Sequence, residues 1–294
     1  MSEQQPSVRH VLGISGGRDS AALAVFMKRE RPEVQVEYFF TDTGSELPEV
    51  YDYLSRLESF LGRAVVRLNP DKQFKEWLRE YRHFLPSVQQ RWCTRQLKLR
   101  PFEDWLRPTL DAGGRVVTYV AIRADEERSG YRADTTGIEV VFPLREAGLD
   151  KAAVIRLLRD AGLDLPDYYR WRSRSGCTFC FFQQKIEWVR LREEHPEEFE
   201  KAKALEKTAL EHGSPFTWSQ GESLEDLSRP EREAQIRADF ERRLERSRRA
   251  ARDAWRLNPF ADDTFTDEQI DDILDLDDVY GRSEVASSCV VCHK

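Results

Sequence analysis

The residues Ser15-Gly16-Gly17-Arg18-Asp19-Ser20 stand between an apolar run, Val8 to Ile14, and a stretch of helix formers, Ala21 to Glu30. A glycine-rich turn from strand into helix presents unpaired backbone N–H groups at the positive end of the helix dipole, where phosphates bind. Gly16 and Gly17 allow close approach of the backbone. Ser15 and Ser20 add hydroxyl donors, Arg18 a cation and Asp19 a magnesium contact. Neither the Walker spacing nor the dinucleotide-binding spacing is present. Two adjacent glycines flanked by serines and an aspartate exceed what a plain corner needs, so the run is read as a phosphate cradle.

Five cysteines complete the reactive inventory: Cys93, Cys177, Cys180, Cys289 and Cys292. The start of the chain lacks the basic and apolar regions of a secretion signal, and no apolar run reaches bilayer length. The expectation is a cytoplasmic protein with reduced thiols, which favours metal or redox chemistry over disulfides.

The net charge is −7 over 294 residues. It conceals an uneven distribution. Residues 262–278 hold nine acids and no bases, and the remainder carries 44 acids against 46 bases, a net of +2. Arginines and a lysine gather in three spans: Arg79, Arg82, Arg91, Arg95, Lys98 and Arg100; Arg123, Arg128 and Arg132; Arg170, Arg172 and Arg174. If these converge they form an anion pocket. Each span alone reads more simply as a solvated surface.

Strand-like runs alternate with helical ones. Val8–Ile14, Val36–Phe40, Ala64–Leu68, Arg115–Ile122 and Ile138–Phe142 read as strands. Tyr51–Leu61, Gln73–Tyr81, Leu97–Leu106 and Lys151–Ala161 read as helices. This predicts an α/β fold, a mainly parallel twisted sheet flanked by helices. Ligands in such sheets sit beyond the carboxyl ends of the strands, where the 15–20 loop, Thr41-Asp42-Thr43-Gly44 and Arg123 all fall. A catalytic core is expected over 1–212. A helical extension over 213–294 follows, with a long charged helix at Arg229–Arg256, an acidic helix at Asp267–Leu276 and a CxxC tail. His83, His195 and His212, and most tryptophans, read as structural. Trp171, between two arginines, is the one candidate stacking platform for nucleic acid.

Several of these segments resemble, in order, the PAPS and APS reductases and their PP-loop ATP pyrophosphatase relatives. Ser15–Ser20 resembles the family's nucleotide loop, Asp42-Thr43-Gly44 with Pro48-Glu49 its DTG segment, and Trp92-Cys93-Thr94-Arg95-Gln96-Leu97-Lys98 its C-x-x-R-K element. Ile122-Arg123-Ala124-Asp125-Glu126 resembles its IRADE run, and Pro143-Leu144, Leu165-Pro166 and Gly176-Cys177-Thr178-Phe179-Cys180 its PL…LP…GCxxC run. The likeness spans about residues 8–185. It implies an adenine nucleotide alpha hydrolase-like fold. It places Ser15, Gly16, Gly17, Arg18, Asp19 and Ser20 on phosphates, with Asp42, Thr43 and Gly44 near the nucleotide and Arg123 on an anionic group. Arg18, Asp19, Arg95 and Arg123 are the candidate catalytic residues, and ATP with Mg2+ the implied ligands.

Departures narrow the resemblance. Where iron–sulfur APS reductases carry adjacent cysteines, this chain has Trp92-Cys93, and Ser288-Cys289-Val290-Val291-Cys292-His293-Lys294 resembles the thiol-type reductase tail only faintly. Gly-Cys-x-x-Cys followed by Phe181-Phe182 looks more like the DNA phosphorothioation enzymes of the DndC and SspD type. On that resemblance Cys93, Cys177, Cys180 and Cys292 hold a 4Fe–4S cluster, with Cys289 as the alternative fourth ligand. A leftover tail thiol could carry a persulfide. Two CxxC pairs holding Zn2+ remain an alternative. The foremost expected function is ATP-dependent adenylation of an acceptor, a DNA backbone phosphate, for sulfur incorporation. A cysteine desulfurase, DNA and other subunits of a modification complex are the expected partners; no membrane partner is expected, and an oligomer is compatible. A sulfonucleotide reductase releasing sulfite and a non-catalytic nucleotide-sensing subunit of a defence complex are the alternatives.

Overall fold

The computed structural model describes residues 8–69, 71–126, 136–173, 176–256, 274 and 276–280. Its centre is a sheet of five parallel strands: β1 (Val8–Gly13), β2 (Val36–Thr41), β3 (Val66–Leu68), β4 (Arg115–Tyr119) and β5 (Ile138–Val141). Their order across the sheet is β3-β2-β1-β4-β5. The chain reverses its direction of travel beside β1, which places the topological switch point between β1 and β4.

Alternation along the strands sorts side chains onto two faces. Val11, Phe39 and Val116 turn to one apolar cluster, and their neighbours Leu12, Phe40 and Val117 to the other. The first cluster is covered by α5 (Arg100–Asp111), whose Phe102 stacks on Phe39 at 4.7 Å between ring centroids. The opposite face is covered by α1 (Arg18–Glu30), α2 (Pro48–Leu61) and α7 (Lys151–Arg159). Ala21 to Val25 of α1 are fully buried, so this helix is packed on all sides. α1 begins three residues before the sequence reading places it, because Gly17 caps it in an extended conformation. Asp19 and Ser20 therefore lie in the first turn.

Between β2 and β4 come α3 (Phe74–Glu80), α4 (Trp92–Thr94), a π-helical stretch Arg95–Leu99, and α5. α6 (Pro143–Glu146) follows β5, and a 3-10 turn Asp167–Arg170 follows α7. The remainder is helical: α8 (Lys185–Glu194), α9 (Pro196–Glu211), α10 (Leu224–Leu227), α11 (Pro230–Arg256) and α12 (Leu276–Tyr280). Among the described residues no helix is long and apolar enough to cross a membrane. His195 ends α8 and precedes Pro196 of α9. Most of the expected acidic helix lies outside the described residues.

Trp218, Leu224, Leu227, Ile236 and Phe240 join the same buried cluster as α1 and α2. Glu206, 2% exposed, accepts from Trp218 N at 2.8 Å and Leu224 N at 2.6 Å. Burial raises this carboxyl above its ordinary value, and the two N–H donors pull it back. Glu222 ties the next loop to both neighbouring helices. It accepts from Arg232 at 2.6 and 2.9 Å and from Lys185 at 2.6 Å.

The Arg232 hydrogen bonds lower the Glu222 carboxyl from 4.5 to about 2. A depressed carboxylate contributes stability above its unfolded value and loses it as pH falls through the folded one. Glu222→Gln should lower the urea midpoint at pH 7 by the equivalent of about 1 kcal/mol. Mutant and parent should converge as pH falls from 4.5 to about 2.

Candidate active site

The phosphate loop leaves β1 at its carboxyl end. Gly16 takes φ +74°, and a Cβ there would lie 2.6 Å from Val50 Cγ1. A side chain at Gly16 is thus opposed by both backbone and neighbour. Within the loop, Ser15 N donates to Ser20 Oγ at 3.0 Å, and the two hydroxyls pair at 3.0 Å. Ser20 Oγ also donates to Gly17 O at 3.1 Å. From outside, Tyr168 OH donates to Gly16 O at 3.1 Å and Tyr169 OH accepts from Arg18 N at 3.3 Å. The two tyrosines brace the turn in the bend the helix start requires.

Asp19 sits at the foot of α1, where the dipole favours an acid. Its carboxylate is gripped by Arg123, whose Nη1 lies 3.0 and 2.9 Å from the two oxygens. The same guanidinium donates from Nε and Nη2 to Asp125 at 2.9 and 3.2 Å, and lies 3.1 Å from Glu126. Arg123 is 4% exposed. Burial favours its neutral form, but the Asp19 charge, the Asp125 hydrogen bond and the Glu126 charge outweigh that and keep it protonated. All three of its nitrogens therefore serve protein carboxylates, and the residue fixes Asp19 at the loop. Arg18, 6% exposed, lies 3.6 Å from Asp19 Oδ1 and 5.4 Å from the Tyr169 ring centroid.

Next along the edge, Asp42 follows β2. Its Oδ1 accepts from Gly44 N at 2.9 Å and from Tyr51 OH at 2.8 Å. Burial and this bond raise the Tyr51 phenol, so it remains a donor. Gly44 takes φ +68°, and Thr43 Oγ1 donates to Glu46 at 2.8 Å. Past β3, a concavity of about 230 Å³ is bounded by Arg67, Asn69, Asp71, Trp77, Arg100 and Asp104. It adjoins the Asp42 segment, since Asp42 N donates to Leu68 O at 3.2 Å.

The cysteine loop lies against the same segment. Leu47 N donates to Gly176 O at 2.7 Å and Thr178 N to Ser45 O at 2.8 Å. Gly176 packs so closely that a Cβ there would lie 1.9 Å from Val50 Cγ2. Cys93, Cys177 and Cys180 are half-buried and not disulfide-bonded. The low-dielectric surroundings of Cys177 raise its thiol well above its ordinary value; Glu46, Cys180 and Cys93 add to this and Lys98 opposes it. The three sequence-predicted thiols thus share one electrostatic neighbourhood. Among the described residues, no three His, Cys, Asp or Glu side chains are arranged as a ready metal site. Cys289 and Cys292 lie outside the described residues, as do Arg128, Arg132 and Arg174.

One feature fits an anionic group at these cysteines. Arg172 is 1% exposed. Its Nη2 donates to Cys177 O at 2.6 Å, but Nε and Nη1 are buried without a partner among the described residues. Sequence reading placed Arg172 in a candidate anion-pocket span but could not single it out, since it is indistinguishable in type from exposed Arg170. It also missed Val50, for which the sequence carries no signal. Trp171 is 6% exposed and packs 5.8 Å from the His195 ring. It is a core residue, which corrects its reading as a stacking platform. Arg95 is exposed on the π-helical stretch; among the described residues it makes no hydrogen bond to the loop. Trp92, in place of the absent second cysteine, is 4% exposed and stacks on Tyr81 at 5.1 Å. His195 pairs with Glu49 at 2.8 Å, and His83 stacks on His212 at 4.2 Å.

The comparisons with known proteins bear on this edge of the sheet. Residues 9–143 match the phosphoadenosine phosphosulfate reductase domain. This domain match runs from β1 to the start of α6 and contains the loop, the Asp42 segment, Cys93 and Arg123. An uncharacterized protein of Methanocaldococcus jannaschii is 27% identical over 194 residues, 64% of this chain and 45% of that protein. An uncharacterized nin region protein of Escherichia phage lambda is 30% identical over 146 residues, 40% of this chain and 49% of that protein. The chain spans about half the length of these curated relatives. Among solved structures, a phosphoadenylyl-sulfate reductase from Candida auris in a phosphate complex overlays with TM-score 0.44 at 14% identity, over 59% of this chain and 82% of that one. The U34-tRNA thiolase NcsA from Methanococcus maripaludis, with its 4Fe–4S cluster, overlays with TM-score 0.35 at 12% identity, over 77% of this chain and 82% of that one.

Two outcomes follow from the packing and the charges. Arg123→Met removes the guanidinium that Asp19, Asp125 and Glu126 share. It should cost about 3–5 kcal/mol in urea unfolding. Gly176→Ala should cost about 1–3 kcal/mol, and adding Val50→Ala should recover part of it, since the collision is with the Val50 methyl.

Proposed function

We propose that this chain is a nucleotide-utilising sulfur-transfer enzyme that splits ATP between its α and β phosphates to adenylate an acceptor. The observation that carries this reading is the juxtaposition on one sheet edge of a glycine-lined helix start and a three-thiol neighbourhood. Backbone hydrogen bonds join the cysteine loop to the Asp42 segment, and Val50 touches both loops. The match to the phosphoadenosine phosphosulfate reductase domain supports it.

In this reading the N–H groups at the start of α1 receive the triphosphate. Asp42 Oδ1 is occupied by its two donors, which leaves Oδ2 as the carboxylate oxygen suited to magnesium. Magnesium would neutralise the charge gathering on the phosphates. Arg18, beside the loop, and the backbone donors stabilise the departing pyrophosphate. An acceptor oxygen bonds to the α-phosphorus, the α–β bridging bond breaks, and pyrophosphate leaves. The terminal sulfur of a persulfide delivered by a cysteine desulfurase then bonds to the acceptor phosphorus, and AMP leaves. A thiol reductant cleaves the remaining S–S bond, leaving sulfur on the acceptor and a disulfide as the oxidised product. A DNA backbone phosphate is the proposed acceptor. Cys93, Cys177 and Cys180 would hold the 4Fe–4S cluster, which supplies sulfur relay or redox capacity when bound, with Cys292 or Cys289 as fourth ligand.

The test is direct. Purified protein with Mg–ATP, DNA, a cysteine desulfurase, cysteine and dithiothreitol as the thiol reductant should yield AMP and pyrophosphate in equal amounts. Gly17→Val, whose Cβ would press on Tyr169 OH at 3.2 Å and disturb the braced phosphate loop, should slow this by about a hundredfold without unfolding the protein. Absence of AMP under these conditions would sink the reading. The domain match also favours a second reading, reductive release of sulfite from PAPS, and sulfite formation with a thiol reductant would select it. Trp92, in place of a second cysteine, argues against that reading.

A further inference from the structure

Arg172 carries five N–H donors on a cation that cannot deprotonate. It is 1% exposed and, among the described residues, makes one hydrogen bond, to Cys177 O at 2.6 Å. The Trp171 ring centroid, 5.9 Å away, adds a weak cation–π contact. Among the described residues no carboxylate lies within ion-pairing distance of it, and Nε and Nη1 have no acceptor. Buried polar atoms in folded proteins nearly always find partners. Glu46 is a nearby carboxyl that Arg172 helps to lower, but among the described residues the two form no ion pair, and a buried charge without a hydrogen-bonded anion is costly. The contrast within this chain is direct, since buried Arg123 is held by three carboxylates.

The acceptor that Arg172 does have lies on the cysteine loop. Arg172 already grips the carbonyl of Cys177, and the loop is pinned by the Leu47–Gly176 and Thr178–Ser45 hydrogen bonds. Gly176 against Val50 leaves that loop no room to shift toward the helix. What the site can gain is negative charge on the sulfur atoms themselves.

We propose that Arg172 is the cationic partner of an anionic sulfur centre carried by Cys177 and its neighbouring thiols. The centre is either an iron–sulfur cluster or a persulfide, which share delocalised negative charge on sulfur. The inference rests on the sulfur-transfer reading above. It makes Arg172 a positioning residue that stabilises the loaded state at the expense of the empty one.

That asymmetry is the test. Wild type, Arg172→Met and Arg172→Lys are stripped with chelator and dithiothreitol and melted. They are melted again after two loadings: ferrous iron with sulfide, and cysteine desulfurase with cysteine. Acid-labile sulfide and iron report a cluster, and thiocyanate released by cyanide reports a persulfide. In the stripped state Arg172→Met should melt a few degrees above wild type, because an uncompensated buried charge has been removed. One of the loadings should raise the wild-type midpoint and leave Arg172→Met unmoved, with Arg172→Lys between them. A merely structural arginine predicts the reverse order in the stripped state. Arg172→Met melting at or below wild type there, or failing to fold, therefore overturns the proposal. If stripped Arg172→Met is stabilised but neither loading raises wild type, the anion is not sulfur and the proposal also falls. The melts do not depend on ATP cleavage, so failure of the sulfur-transfer reading would show separately as missing AMP.

Discussion

The two methyls of Val50 set how closely the two halves of the site approach. One would clash with any side chain at Gly16 and the other with any side chain at Gly176. The phosphate loop and the cysteine loop are thus packed backbone-first against opposite sides of one residue on α2. Interiors are dense enough that neither contact can be loosened without moving a whole loop. Proximity of a phosphate cradle to thiols is therefore a packing result. It needs glycine at both positions, and only the Gly16 turn also demands a positive φ.

Electrostatics refines what packing brings together. Asp19 at the foot of α1 and Arg123 after β4 lie on adjacent parallel strands' exits, so their ion pair spans the switch point between β1 and β4. The pair is affordable because Asp125 and Glu126 share the guanidinium. Arg172 shows the opposite condition, a buried cation with donors unspent. The same residue type is a completed structural fastener at one site and an open valence at the other. Burial and partners make the difference.

A third layer is aromatic. Phe74 lies 5.1 Å from Trp92, 5.7 Å from Phe179 and 6.0 Å from Trp218, between ring centroids. These residues come from α3, α4, the CxxC loop and the segment beyond α9. The cluster carries Cys93 and the CxxC loop on one apolar platform and anchors the residues after 213 to it. Trp92 thereby occupies, as core, the position where the reductase resemblance has a second cysteine. Aromatic rings dominate such junctions because each buries a large area with few torsions to fix.

Much of this was legible in the amino-acid sequence. Period-two alternation and the strand–glycine–helix corner are local properties, so the five strands, the flanking helices and the phosphate loop follow from residues near in sequence. The CxxC pair and Asp42-Thr43-Gly44 were legible for the same reason. Which arginines are buried was not legible, because burial depends on elements far apart in the chain: Arg123 meets Asp19 across 104 residues. Nor was the demotion of Trp171 to core, or the role of Val50, since neither residue type nor spacing encodes a contact made in three dimensions. The sequence by itself determined the chemistry available, phosphate donors and thiols. Tertiary structure decided which groups share an edge, because only packing and desolvation turn a list of polar residues into one with paired and unpaired charges.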